Sequence, residues 1–258
     1  MFTLVVFILA CWEWSQFCRF SVFRSRVYLA ISILLCVVIF LTYHLGQLCG
    51  VRFASLALVG FAVAVVFWLL VVPVWIVRQW RPVNSLWIAL AGWAVLVPTF
   101  LALLFLRDVS PWLLLTFAAI VWIADIAAYF VGRRFGKNKL APAISPGKTI
   151  EGALGGIVGV ALYFFAWQFL LANSYLGLHA WAQNLRADEV VLFGFFVLLA
   201  VASIMGDLFE SWMKRGAGMK DSSNLLPGHG GILDRIDALT STLPIAGLFV
   251  LLQAMVCP

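Results

Sequence analysis

The sequence predicts an all-α fold, a polytopic integral membrane bundle of about eight transmembrane helices. Three observations predict it. Hydrophobic residues make up 64% of the 258 positions and charged residues 11%, whereas a soluble domain is about 45–50% apolar and about 25% charged. The mean hydropathy is +1.07. The apolar residues also come in uniform runs of about twenty, the length a helix needs to cross roughly 30 Å of hydrocarbon. This balance excludes a soluble enzyme, a disordered chain and a nucleic-acid reader. The net charge of +6 needs no polyanionic partner, because positive loops on the cytoplasmic side supply it.

Eight apolar windows follow in order, at about 2–17, 27–48, 54–77, 85–106, 111–132, 150–173, 190–213 and 238–257. The first is apolar from its second residue. It lacks the basic stretch and small-residue cleavage site of a signal peptide, so it reads as a span that stays. None of the eight alternates as a barrel strand does, and only helices or closed barrels satisfy the backbone in lipid. Trp12, Trp14, Trp75, Trp80, Trp112 and Trp181 fall near window ends, where amphipathic rings sit at the membrane–water boundary. Gly152 and Gly156, with Gly155 and Gly159, give two interleaved G-x-x-x-G patterns, so the sixth helix is expected to pack very close to a neighbour. Cys11, Cys18, Cys36, Cys49 and Cys257 show no C-x-x-C spacing and read as small apolar residues, not as a disulfide framework or zinc site. No repeat or linker divides the chain, so residues 1–258 read as a single transmembrane domain. Its two long polar segments are 133–149 and 214–237.

The cations orient the bundle. Loops after the first, third, fifth and seventh windows hold Arg19, Arg24, Arg26, Arg78, Arg81, Arg133, Arg134, Lys137, Lys139, Lys148, Lys214, Arg215, Lys220 and Arg235, which are fourteen of the 17 Lys and Arg. Arg52, Arg107 and Arg186 fall on the other side. Cytoplasmic loops carry the excess of Lys and Arg, so both long polar segments are expected to face the cytoplasm.

Carboxylates inside a bilayer are costly and mark function by default. Asp125 lies about two turns inside the fifth helix, with Tyr129 four residues on along the same face. It is either a functional carboxylate or one bonded to Tyr129 or to backbone within the bundle. Asp207, Glu210, Ser211 and Lys214 fall at i, i+3, i+4 and i+7, one face of a helix. So deep a polar stripe points to a water-filled cavity, whereas a helix end emerging into solvent accounts for Lys214 but poorly for Asp207. The stretch 211–237 then brings together Lys214, Arg215, Lys220, Asp221, His229, Asp234, Arg235 and Asp237 with glycines at 216, 218, 228, 230 and 231. Hard carboxylate oxygens among cations and glycines suit a magnesium-bound polyphosphate, since Mg²⁺ takes one or two carboxylates plus phosphate oxygens. In the other polar segment, Gly147-Lys148-Thr149 ends as a P-loop does, but the pattern requires glycine at 142, which is Pro142, and no strand is expected before it. The P-loop reading therefore fails. Ser145, Lys148 and Thr149 can still meet an anion ahead of a helix N-terminus, and Glu151 reads as an early-helix carboxylate favoured by the dipole. Lys137 and Lys139 read as topology signals, and His44 and His179 as ordinary residues.

The run from Ser211 to Asp237 resembles the signature of the phosphatidate cytidylyltransferase (CDP-diacylglycerol synthase) family, S-x-x-K-R-x-x-x-x-K-D followed by P-x-H-G-G-x-x-D-R-x-D. Ser211, Lys214, Arg215, Lys220, Asp221, Pro227, His229, Gly230, Gly231, Asp234, Arg235 and Asp237 stand in register. The upstream S-P-x-K-T-x-E-G (Ser145, Pro146, Lys148, Thr149, Glu151, Gly152), the D-x-x-A-Y of Asp125, Ala128 and Tyr129, and Glu13 within WEW are also similar to the family. The resemblance implies the reaction CTP + phosphatidate → CDP-diacylglycerol + pyrophosphate, at a site formed by loops 133–152 and 207–237 in the bacterial inner membrane. It implies Mg²⁺ as cofactor, with a second cation left open, membrane lipids as surroundings and a homodimer as assembly. By resemblance, the catalytic set is Asp207, Asp234, Lys220, Asp221, Lys214 and Arg215, with metal bound first by Asp207 and Asp234 and further by Asp221. Lys148 and Arg235 would hold phosphates, Ser145, Thr149 and His229 would position substrate, and the Gly230-Gly231 turn would let backbone approach it. Ser211, Asp237 and Asp125 complete the implied substrate site.

Two other classes answer to parts of the pattern. A CTP-dependent lipid enzyme such as a polyprenol kinase shares the cations and carboxylates but not the full HGG-x-x-DR-x-D run. A secondary transporter places carboxylates near the midplane, often in repeated halves, whereas here they gather at one end without a repeat. Members of the family usually carry one more hydrophobic span before the segment similar to WEW. The expectation is therefore a missed upstream start, with the eight windows corresponding to the later spans of a nine-span pattern.

Overall fold

The structure, a computed structural model, describes residues 2–49, 52–82, 84–172, 188–228 and 230–256. His179, Trp181, Arg186, His229 and Cys257 lie outside these residues, as do the side chains of His44, Cys49 and Arg52. Every apolar window becomes helix: α1 (Phe2–Phe17), α2 (Val22–Cys49), α3 (Arg52–Val66) running through a π turn at Phe67–Val71 into α4 (Val72–Val77), α5 (Ser85–Val109), α6 (Pro111–Phe135), α7 (Ile150–Ala172), α8 (Glu189–Ala217) and α9 (Leu233–Val256). Seven of these spans are long and apolar enough to cross a membrane, with α3–α4 counted as one, and α1 is a shorter apolar helix. The π turn has a local cause. Pro73 cannot donate to the carbonyl four residues back, and the wider turn ahead of it absorbs the missing bond.

Hydropathy windows understate several helices, among them α2, which starts at Val22. α8 continues to Ala217 and α9 starts at Leu233, because charged side chains at an emerging helix end lower a hydropathy average without opposing the helix. Gly218, at φ +75, ends α8. Its N–H reaches the carbonyls of Lys214 and Arg215, and the Met219 N–H donates to Lys214 at 2.9 Å, satisfying the orphan carbonyls.

Between α6 and α7 the expectation of no strand needs correcting. β1 (Lys139–Ala141) pairs antiparallel with β2 (Ser145–Thr149), with an irregularity in register between Lys139 and Ala141. Lys148 and Thr149 thus leave a short hairpin, not the parallel strand and Gly-rich turn of a P-loop, and that part of the reading holds. Beyond the hairpin, α7 packs closely on α6, as the glycine pattern predicts. A Cβ on Gly152 would stand 2.9 Å from the carbonyl oxygen of Ala128, and one on Gly156 would stand 2.9 Å from that of Ala124.

Four loops gather at one end of the bundle. Arg19 donates to the Gly216 carbonyl at 3.0 Å, Trp212 Nε1 to Trp80 at 3.1 Å, and Lys148 pairs with Asp207. These contacts tie the segments after α1, α4 and β2 to the end of α8. The cations separated by sequence therefore converge on one face.

Candidate active site

A cavity of about 480 Å³ opens between α6, the hairpin, α7 and α8. Its first wall begins with Thr149, buried at the start of α7, whose Oγ1 accepts the Gly152 N–H at 3.1 Å and so caps the helix. Glu151 does more than meet the helix dipole. Its carboxylate accepts the N–H groups of Lys137 and Asn138 and the Asn138 amide at 2.7 Å, fixing the chain that leads into β1. With the hairpin anchored at both ends, Ser145, Lys148 and Thr149 line the cavity. Asp125 and Tyr129 line it from α6, but they are not bonded to each other: the Tyr129 hydroxyl accepts from Arg133 at 3.0 Å. Asp125 is instead within electrostatic reach of Asp207 and Lys148.

The second wall is α8, which lines the cavity at Ile204 and Asp207 and carries its polar stripe on from there. Asp207 Oδ2 pairs with Lys148 and Oδ1 accepts from Ser211 at 3.3 Å. One turn on, buried Glu210 pairs with Lys214 at 2.6 Å, and Lys214 also reaches Asp234 Oδ1 at 2.5 Å. The other oxygen of Asp234 accepts the Ser222 N–H and Oγ, each at 2.9 Å, and the Gly231 N–H at 2.7 Å. Asp237 lies near Asp207, Lys148 and Lys214, and its Oδ1 accepts the Ala238 N–H at 2.7 Å. A continuous chain of charges results, from Asp125 through Lys148, Asp207, Asp237 and Lys214 to Asp234.

Several implied residues stand apart from this chain. Arg215 is exposed and donates to the Met219 carbonyl at 3.3 Å, bracing the turn after α8. Lys220, Asp221 and Arg235 are exposed on the loop face. Gly230, at φ +79, closes a tight turn whose N–H···O bond runs from Leu226 to Gly230 at 2.9 Å. Gly231 fits where it does because a Cβ there would strike Ser222 Oγ and Glu13.

Glu13 is the functional candidate whose role the sequence hid. It is fully buried and bonded to the signature loop, although it belongs to α1. A carboxylate inside an apolar helix is a signal in itself, but its partners lie more than 200 residues downstream. Ser222 and Ser223, which bond to it, are polar groups that the sequence reading passed over.

The donor set fits a divalent cation. Asp207 and Asp234 present hard oxygens, and each already holds an ammonium group, from Lys148 and Lys214 respectively. No three His, Cys, Asp or Glu side chains converge among the described residues, and Mg²⁺ does not need such a cage, because it completes its shell with waters and phosphate oxygens.

A polytopic helical bundle with an ion-paired cavity at one end is the class that fold and site define. The chain belongs to the cytidylyltransferase family, whose model matches residues 1–253. Similar proteins include a phosphatidate cytidylyltransferase of Pseudomonas aeruginosa, 39% identical over 250 residues that cover 95% of this chain and 84% of that protein. One from Haemophilus influenzae is 36% identical over 266 residues, covering 95% and 86%. One from Thermotoga maritima is 40% identical over 136 residues, covering 52% and 48%.

Proposed function

We propose that this chain transfers the cytidylyl group of CTP to phosphatidate, giving CDP-diacylglycerol and pyrophosphate. The observation that carries this reading, beside family membership, is the two-sided cavity. Lys148, Asp207, Asp125, Ser145 and Thr149 give it polar lining, while Ala124, Ala128, Leu140, Ala153 and Ile204 give it apolar lining. Trp122, Ile126 and Phe130 face outward from the same stretch of α6, so a substrate with a phosphate head and acyl tails can enter from lipid.

In the reaction an oxygen of the lipid phosphate attacks the α-phosphorus of CTP. The new P–O bond forms as the bond to the β-phosphate oxygen breaks, and pyrophosphate leaves. The nucleophile is already an anion, so no strong general base is required. The obstacle is repulsion between two anions, and positioning with electrostatic stabilisation removes it. Lys148 and Lys214 meet phosphate oxygens, Ser145 and Thr149 orient them, and Asp207 and Asp234 hold the lysines until substrate arrives. Asp207 and Asp234 are the residues that would hold Mg²⁺, which would supply neutralisation of phosphate charge, while Glu210 keeps Lys214 in place. Asp221 and Lys220 on the loop, with Arg215 at the end of α8 and Arg235 at the start of α9, come next in the proposed site, and His229 joins them by family resemblance. We further propose that the basic end faces the cytoplasm of a bacterial inner membrane, since fourteen of 17 cations lie in its loops, and that the protein works as a homodimer, as the family resemblance implies.

The test is incubation of purified protein with phosphatidate, Mg²⁺ and CTP labelled at either the α- or the γ-phosphorus. Label from the α position should enter the lipid and γ label should remain in pyrophosphate. Transfer of γ label to lipid would instead identify a CTP-dependent kinase. Chelation with EDTA should abolish turnover, and added Mg²⁺ should restore it.

A further inference from the structure

The loop that carries the signature is held by a carboxylate from the other end of the chain. Glu13 is 0% exposed, and no Lys or Arg pairs with it among the described residues. Its four partners among the described residues belong to the signature loop and the start of α9. Ser223 Oγ donates to Oε1 at 2.6 Å and Ser222 Oγ to Oε2 at 3.1 Å. The N–H groups of Ile232 and Leu233 donate to Oε1 and Oε2 at 2.9 and 2.7 Å. The last two stand just before and at the first residue of α9, where N–H groups have no acceptor inside the helix and negative charge is favourable. Glu13 therefore joins the beginning of the loop, at 222–223, to its end, at 231–233.

The same contacts reach the site. Ser222 Oγ lies between Glu13 and Asp234, 2.9 Å from Asp234 Oδ2, and Asp234 in turn holds Lys214. Gly231 packs against Glu13 and Ser222 with no room for a side chain. We infer that Glu13 is a positioning residue. Its carboxylate holds the loop together and, through Ser222, fixes Asp234 and the Lys214 paired with it, without touching substrate. For its catalytic consequence this role rests on the cytidylyl transfer proposed above.

The test compares the full chain with Glu13→Gln in lipid nanodiscs. Gln keeps the shape but turns an NH₂ group toward donors, so a defect reports the lost anion and not lost packing. Amide hydrogen exchange in 219–233 should rise about tenfold or more, while α6 and α7 exchange as in the parent. The kcat per folded molecule should fall about 10- to 100-fold, the range for losing a charge-assisted hydrogen bond, with KM for CTP changed less than about threefold. Ser223→Ala, which leaves α1 intact, should move both readouts the same way by a smaller factor. Exchange and kcat equal to the parent in Glu13→Gln overturn the inference, as does faster exchange spread evenly through the bundle. If Glu13→Gln does not fold, Ser223→Ala decides, and parent-like exchange in 219–233 overturns it. A parent protein that makes no CDP-lipid counts against the proposed reaction, and the exchange comparison then judges the clamp by itself.

Discussion

On one side of the cavity α6 and α7 meet backbone to backbone, with Gly152 and Gly156 set against the carbonyls of Ala128 and Ala124. On the other, the segment between α8 and α9 is held by two carboxylates, Glu13 and Asp234, which share the Ser222 hydroxyl between them and each meet three further donors. The first wall depends on size, because close helix packing in lipid rests on small residues and van der Waals contact. The second depends on charge, because a buried carboxylate is tolerable only while its donors stay in place. The same lipid solvent thus positions two halves of one site by different means. Isosteric changes should damage the second wall and spare the first, and changes in volume should do the reverse.

The largest effect is expected at the seam. Asp207→Asn keeps volume but removes the charge that holds Lys148 and the proposed metal, and turnover should fall about 10²- to 10³-fold or more. The protein should keep the parent's thermal midpoint in detergent. Lys148→Ala comes next, with kcat/KM for CTP lower by about 10- to 100-fold, as a charge-assisted phosphate contact of about 1.5–3 kcal/mol implies. Gly156→Val breaks the comparison from the other side. Its added methyls meet the Ala124 carbonyl and should destabilise the α6–α7 pair by about 1–3 kcal/mol, read as a lower thermal midpoint, a shift Asp207→Asn should not produce. The smallest effect belongs to Lys137→Ala and Lys139→Ala. Both side chains are exposed on the hairpin approach, and turnover should stay within about twofold of the parent, as for other solvated surface charges. Equal losses at Lys137, Lys139 and Lys148 would mean that the basic end acts only as a diffuse field.

Much of this was legible before any coordinates. Hydropathy located the helices because lipid leaves the backbone no other choice, and the i, i+3, i+4, i+7 spacing put Asp207, Glu210, Ser211 and Lys214 on one face of α8. The G-x-x-x-G pairs announced a close neighbour for α7, and the structure shows that it is α6. The hairpin was not legible. Its strands are three and five residues long, with Pro142 directly after the first and Pro146 inside the second, and its approach is fixed by Glu151 from the following helix. Such a strand has no hydrophobic alternation to read. Glu13 was visible as an oddity, but its meaning lay in hydroxyls and N–H groups 209–220 residues away. Asp125 shows the opposite limit. Spacing paired it with Tyr129, yet a neighbour four residues further on, Arg133, takes the hydroxyl instead.

The central claim is that the two walls become one site through Lys148 and Asp207. A double-mutant cycle on turnover of CTP with phosphatidate tests it most directly, using Lys148→Ala, Asp207→Asn and the combined variant. Groups that act as a unit are strongly non-additive, so the combined variant should lose no more activity than the more damaging single change. Losses that multiply would show that the hairpin lysine and the α8 carboxylate serve separate purposes, and would contradict the account.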